Sequence, residues 1–392
     1  MTSCWLIARP TRRTLRSPST TIIAHSRSRI TSRMPSGNRI ILASAGSGKT
    51  TSLVSEASSD DSRRAALVTY TLNGRGELTG KAYGLYGAIP PHLTVSTWYT
   101  FVLTHFVRPY QNHLYDPRVS NITFKRVPEQ LRTIPKTATG KFYFSSKGRL
   151  WRDRVTDFAC RVIEKTGGLP LRRLERIFGR IYIDEAQDLS GWDLELIEHL
   201  LASGVQLHLV GDHRQATFST NDNPKNKPFW GRNIITKFEE WEKAGLAKIE
   251  HAAHSHRCNQ AICDFADAIF PDCRKTKSLS TTATVHDGLF FVRQSDVPAY
   301  MDTFQPQPLR YNRIRKVALG EPLNFGEAKG MTFDRTLVYP HGPFEKYLAT
   351  GALADAGKEL PKIYVSITRA RYSVGFVVPD KFKGTALPFF VP

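Results

Sequence analysis

Two short stretches bring together residue types that suit phosphate chemistry. The first, ASAGSGKTT at residues 43–51, follows the apolar run RIILA. In such a turn successive backbone N–H groups, here from Ala45 to Thr51, converge on an anion, and Gly46, Ser47 and Gly48 let the backbone come close. Lys49 supplies a cation and Thr50 a hydroxyl able to ligate Mg²⁺. The common pattern G-x-x-x-x-G-K-[ST] has a glycine where Ala43 stands. The second stretch is RIYIDEAQD, residues 180–188. Asp184 there can hold Mg²⁺, and Glu185 can orient and deprotonate an attacking water. Alone, these acids serve equally well as caps of the next helix. Paired with Lys49 and Thr50 they read as the hydrolytic half of a nucleotide site.

Such groups need strands that end side by side. RIILA, AALVTY, RIYIDEA and VQLHLVGD each end at a polar or glycine-containing turn, and helical stretches such as LELIEHLLASG lie between them. This alternation predicts an α/β fold, a parallel sheet covered by helices with ligands at the carboxyl ends of its strands. A second set comes later in GLFFVRQ, TLVYP and SVGFVVP. The first unit is expected over residues 34–250 and the second over 251–392. Two segments read as insertions: a basic, aromatic one at about 105–178 and a Pro- and Ser-containing one at about 271–318.

With 392 residues and 41% hydrophobic content the chain can build two cores, and its net charge of +20 favours a polyanionic partner. Residues 1–33 contain seven Arg and no Asp or Glu, so without them the charge is +13. This leader reads either as an organelle transit peptide or as sequence upstream of a start at Met34, which stands just before the first strand; the second account fits better. It is set aside from fold reasoning as disordered or untranslated. The five cysteines, Cys4, Cys160, Cys258, Cys263 and Cys273, contain no C-x-x-C pair and suit a reducing compartment. An iron–sulfur site would need Cys160 with the loose later cluster; ordinary thiols fit the spacing better. No apolar run has the length of a membrane span, so no membrane partner is expected. The expected location is the cytoplasm of a bacterium or phage-infected cell, with organelle import only if the leader is genuine.

Six stretches, ASAGSGKTT, IDEAQD, LVGDHRQATF, HSHRCNQAI, GEAKGMTFDRTLVYP and YVSITRARYSV, occur in the order and approximate spacing of the motifs of superfamily 1 DNA helicases of the UvrD/Rep type. The chain resembles that family from about residue 39 to residue 378. The resemblance implies two RecA-like parallel-sheet domains with an ATP cleft between them, short inserted subdomains, and single-stranded DNA crossing both. It implies that Lys49 and Thr50 bind the β/γ-phosphates and Mg²⁺, that Asp184 holds the metal and that Glu185 is the general base. Gln215 becomes the γ-phosphate sensor, while Arg257 and Arg369 reach from the second unit to the same phosphate. For DNA it implies contacts from Thr69, Tyr70 and Thr71, from Thr97 and Trp98 in STWYTF, and from Lys329, with Lys329 and Thr332 lining the second unit's face of the cleft and strand path. The helical spacing of Trp98 and Phe101 also suits a packed core.

The chain departs from that family at several positions. MPSGN lacks the glutamine-bearing adenine motif, and His256 stands where many relatives stack a tyrosine on adenine. Thr332 replaces a glutamate. Thr220 stands where an aromatic is usual, leaving Phe218 as the nearest base-stacking substitute. The insertions are short. The leading expectation is an ATP-driven motor on single-stranded DNA, moving 3′ to 5′, a DNA-stimulated ATPase acting as translocase or helicase, for instance in repair. The alternative is an ATP-gated DNA-binding subunit of a nuclease or defence complex. A P-loop kinase or GTPase gives DEAQD and ITRAR no role.

Overall fold

Strands that end in turns form two parallel sheets in the computed structural model, which describes residues 37–392. The leader expected at 1–33 lies outside the described residues. The first sheet contains β1 (Arg39–Ala43), β2 (Arg64–Thr69), β3 (Leu93–Thr97), β4 (Phe178–Ile183), β5 (Gln206–Gly211) and β6 (Lys248–Ala252). Their order is β3-β2-β4-β5-β1-β6, and every neighbouring pair runs parallel. Alternate residues of each strand enter opposite cores. On one face Ala65, Leu67 and Val210 meet Leu53, Val54 and Ala57 of α1 (Lys49–Ser58) and Leu78 and Ala82 of α2 (Leu72–Tyr86). On the other, Ala66, Val68, Ile181 and Leu209 meet α3 (Trp98–Val102), α4 (Val155–Lys165), α5 (Leu169–Ile177), α6 (Trp192–Leu201) and α7 (Ile234–Lys243).

A short connection through His254–Ser255 and α8 (Gln260–Ala268) leads to the second sheet. Its strands are β7 (Gly288–Arg293), β8 (Gln307–Arg310), β9 (Leu323–Asn324), β10 (Phe333–Tyr339) and β11 (Ala370–Val378), in the order β7-β11-β10-β8-β9, again all parallel. Helix α8, α10 (Gly342–Thr350) and α11 (Leu360–Ile367) pack on Phe291, Val338 and Phe376. Helix α9 (Val297–Phe304) packs on Val292, Leu337 and Val377 of the other face. The α/β class with parallel sheets is therefore as expected. Among the described residues no helix is long and apolar enough to cross a membrane.

The topology shows what the two segments read as insertions contribute to each sheet. Residues 271–318 include β7, α9 and β8, so two strands of the second sheet and the helix between them lie within the segment. GLFFVRQ in this segment is the expected strand, while QPLR, short and interrupted by proline, gave no strand signal. Within 105–178, α4 and α5 cover the first sheet, with Phe158, Val162 and Leu174 fully buried, while the longer stretch before α4 is built of short, irregular pieces.

In a parallel sheet all carboxyl ends share one edge. The turns after β1, β4 and β5 hold Lys49, Asp184–Glu185 and Gln215, and these three strands are adjacent. The turns after β2 and β3, at the far end of the same edge, hold Tyr70–Thr71 and Trp98–Tyr99. The second sheet contributes from its amino edge: Lys329–Thr332 precede β10 and Arg369 precedes β11.

Candidate functional site

The turn after β1 has the backbone that an anion cradle requires. Gly46 and Gly48 have φ of 75° and 79°, in the left-handed region where glycine is favoured. A Cβ on Gly46 would lie 2.5 Å from the Arg257 Cβ and 2.6 Å from the Ser255 Oγ, so that glycine is also where the second unit's entry segment touches the loop. The His256 N–H donates to the Gly46 carbonyl at 2.8 Å. The Ser47 hydroxyl is buried with no protein partner, an orphaned donor within the cradle. Lys49 Nζ sits 2.7 Å from Glu185 Oε1. Burial alone would lower the Lys49 pKa, but Glu185 and Asp184 outweigh it and hold the ammonium charged.

Glu185 has φ 57°, one of three non-glycine residues in the left-handed region among those described. Such a backbone costs about 1–3 kcal/mol and here turns the carboxylate toward Lys49. Gln187 donates to its other oxygen, and Lys329 Nζ lies 3.5 Å from that same oxygen. Burial works against the Glu185 charge, yet Lys49 and Lys329 together hold this carboxyl far below its usual range. Asp184, 5% exposed, is pushed by burial to about 6 against the pull of Lys49. Lys329, expected on the nucleic-acid path, instead bonds Asp188 Oδ2 at 2.8 Å. Buried Asp188 needs a paired cation, and the loop before β10 delivers Lys329 to it.

Gln215, Arg257 and Arg369 line the same cavity as Lys49, Thr50, Thr51, Glu185 and His256, with a volume of about 390 Å³. Arg369 is 1% exposed; it donates to the Val365 carbonyl at 3.0 Å and to Gln215 Oε1 at 3.2 Å. Arg257 donates to the Thr368 carbonyl at 3.1 Å. Burial, and then the mutual repulsion of the two cations, brings Arg369 down to about 9, and burial also lowers Arg257. Neither guanidinium has a carboxylate partner among the described residues, so the cavity carries cation charge that a polyanion would neutralise. Glu77 and Lys81 of α2 and Arg371 of β11 also line it, and none of the three was expected from the sequence. The only sequence signal for Glu77 and Lys81 was their i, i+4 spacing in ELTGK. Arg214, buried beside Gln215, bonds Asp212, Asp267 of α8 and Ser44 at 2.8–2.9 Å, tying the turn after β5 to the second unit's first helix.

At the far end of the edge, Tyr70, Thr71, Thr97 and Phe218 line a second cavity of about 440 Å³. Tyr99, Phe124 and Arg152 line it too and were not anticipated. Phe124 and Phe218 are 65% and 51% exposed, and Phe124 meets Tyr99 edge-on at 5.6 Å. Two expected strand contacts are corrected. Trp98 has no exposed surface and its Nε1 donates to Asp193 at 3.1 Å, so it belongs to the core and offers no face for stacking. Thr69 is 1% exposed under the first turn of α2. Thr71 and Thr97 accept the N-cap bonds of α2 and α3.

No protein-family model matches the chain, and no curated protein sequence matches it. The chain is similar to two solved structures of Arterivirus nonstructural protein 10, a helicase, at 15% identity in both cases. The structure of that protein alone has a TM-score of 0.47 and the match covers 88% of this chain and 60% of that one. The structure of its complex with DNA has a TM-score of 0.46 and the match covers 88% and 61%. This chain therefore spans about 60% of the length of the helicase it is compared with.

Proposed function

We propose that the chain is a nucleic-acid-stimulated ATPase that moves along single-stranded DNA, 3′ to 5′, as a translocase or helicase. The observation that carries this reading is one cavity shared by Lys49 and Glu185 of the first unit and Arg257 and Arg369 of the second. Cations held by a second unit reach a developing charge only when the two units close on it, which couples hydrolysis to their relative motion.

The donor set suits ATP with Mg²⁺: the cavity is lined by a glycine cradle with an orphaned hydroxyl, a lysine and the Thr50 hydroxyl, and the Asp184 carboxylate lies buried next to Glu185, all hard oxygen or cationic groups. Thr50 and Asp184 would hold the ion, which neutralises charge on the phosphate oxygens. Lys49 exchanges Glu185 for phosphate, and Glu185, relieved of one cation, orients the water and takes its proton. Gln215 links the phosphate to Arg369. His256, which lines the cavity beside Gly48, would stack on the base. The exposed aromatics Phe124 and Phe218, with Tyr99 and Arg152, supply stacking and charge without sequence preference.

The test is the ATPase rate with and without single-stranded DNA and RNA, for the parent chain and Lys49→Ala. Strong stimulation by the strand is expected. In the variant, hydrolysis falls by at least the ~10²–10³-fold that one preorganised charge contributes. A parent chain stimulated by neither polymer removes the reading. Phe218→Ala is expected to weaken strand binding by about 1–3 kcal/mol, roughly 5- to 150-fold, and binding by the parent should fall steeply with salt. Unchanged affinity in a fluorescence-anisotropy titration would take Phe218 off the strand path.

One observation favours the alternative, an ATP-gated DNA-binding subunit of a nuclease or defence complex. Residues 271–318 carry two strands of the second sheet joined by one helix and short loops, so among the described residues no separate accessory domain stands there to engage duplex. Separation of a tailed duplex by the isolated chain decides between the two.

A further inference from the structure

Asp193, in the first turn of α6, is 1% exposed and has no cation partner among the described residues. Its carboxylate is held by three neutral donors from three separate segments. They are the Tyr70 hydroxyl after β2, Trp98 Nε1 in α3 at 3.1 Å, and the Thr220 hydroxyl at 2.6 Å. Each donor adjoins the wall of the aromatic cavity. Tyr70 lines it directly, Trp98 stands between Thr97 and Tyr99, and Thr220 comes two residues after Phe218 and accepts the Tyr99 hydroxyl on its carbonyl at 2.7 Å. The same threonine faces the other way too: its N–H donates to the Asp188 carbonyl at 3.1 Å, and Asp188 holds Lys329 in the acid cluster. The loop carrying Phe218 and Thr220 begins at Gln215, which bonds Arg369.

We infer that Asp193 is the positioning residue that joins the aromatic cavity to the nucleotide cavity, so that occupancy of either changes affinity at the other. The inference rests on the function proposed above. A buried carboxylate binding three donors at once fixes their relative places more tightly than neutral groups do, because charge-assisted bonds are the stronger ones and a partly satisfied network is costly. A base entering beside Phe218 and Tyr99 displaces the Thr220 loop, and Asp193 keeps the three walls moving as one piece. Coupling of this kind is reciprocal.

The experiment measures the affinity of the full chain for a fluorescent oligo(dT), with and without a non-hydrolysable ATP analogue. The parent chain is expected to show a coupling factor of about 5–150. In Asp193→Asn and in Thr220→Val, which preserve shape, that factor should fall to about one. Nucleotide affinity without the oligonucleotide should stay within about twofold, a split that general loss of structure does not produce. Retained coupling in a folded variant overturns the inference while leaving the proposed function standing. A parent chain that binds no oligonucleotide overturns the proposed function and the inference with it. Should Asp193→Asn fail to fold, as a melting curve would reveal, Thr220→Val alone decides.

Discussion

Arg369→Ala is expected to lower single-turnover ATP hydrolysis by about 10³–10⁵-fold, the range an arginine supplied to a phosphoryl transition state contributes. The expectation has a structural cause. Arg369 is buried, brought down to about 9 by burial and by Arg257, and has no carboxylate beside it among the described residues. A cation kept in such surroundings is poised for an anion that arrives later. Its fork is already oriented by the Val365 carbonyl and by Gln215, so little ordering remains at the moment of reaction. Arg369→Lys keeps the charge and loses the fork, and should recover only part of the rate. A melting curve separates loss of chemistry from loss of structure. An alanine variant that is folded and hydrolyses within tenfold of the parent would assign Arg369 to packing alone.

Glu185→Gln should move turnover and affinity in opposite directions. Removing a positioned general base lowers kcat by about 10²–10⁴-fold. Yet Glu185 is also the group that occupies Lys49, at 2.7 Å, and draws on Lys329. Glutamine keeps the shape and drops the charge, which frees Lys49 for phosphate. ATP affinity, measured by calorimetry, should therefore hold or increase while hydrolysis collapses. Unchanged turnover refutes the base assignment, and a parallel loss of affinity points instead to a collapsed loop.

The strongest local patterns were readable in the amino-acid sequence. RIILA before ASAGSGKTT, and RIYI before DEAQD, mark both a strand and its terminal turn, because a buried parallel strand must be apolar and the turn at its end must carry polar groups. The strands LTVST, KIEHA and QPLR were not read as strands, since each is short, polar at alternate positions or interrupted by proline, and is stabilised by its neighbours in the sheet. Order along the chain singled out Lys49, Glu185, Gln215, Arg257 and Arg369, which line one cavity, but could not give the direction in which a side chain points. Trp98 points inward to Asp193, and Lys329 turns to Asp188, because unpaired buried carboxylates are more costly than a lost surface contact. Glu77, Lys81 and Phe124 reach the two cavities from elements that carry no motif.

The backbone seam between Gly46 and His256 has a mechanical consequence. It allows no side chain at Gly46 and so makes a natural fulcrum beside the phosphate cradle. From β1 the order of the sheet places β3 four strands away, about 19 Å at ordinary strand spacing. A point that admits no side chain lets the two backbones touch directly, so the second unit is hinged at the cradle itself and not at the distant β3 end of the sheet.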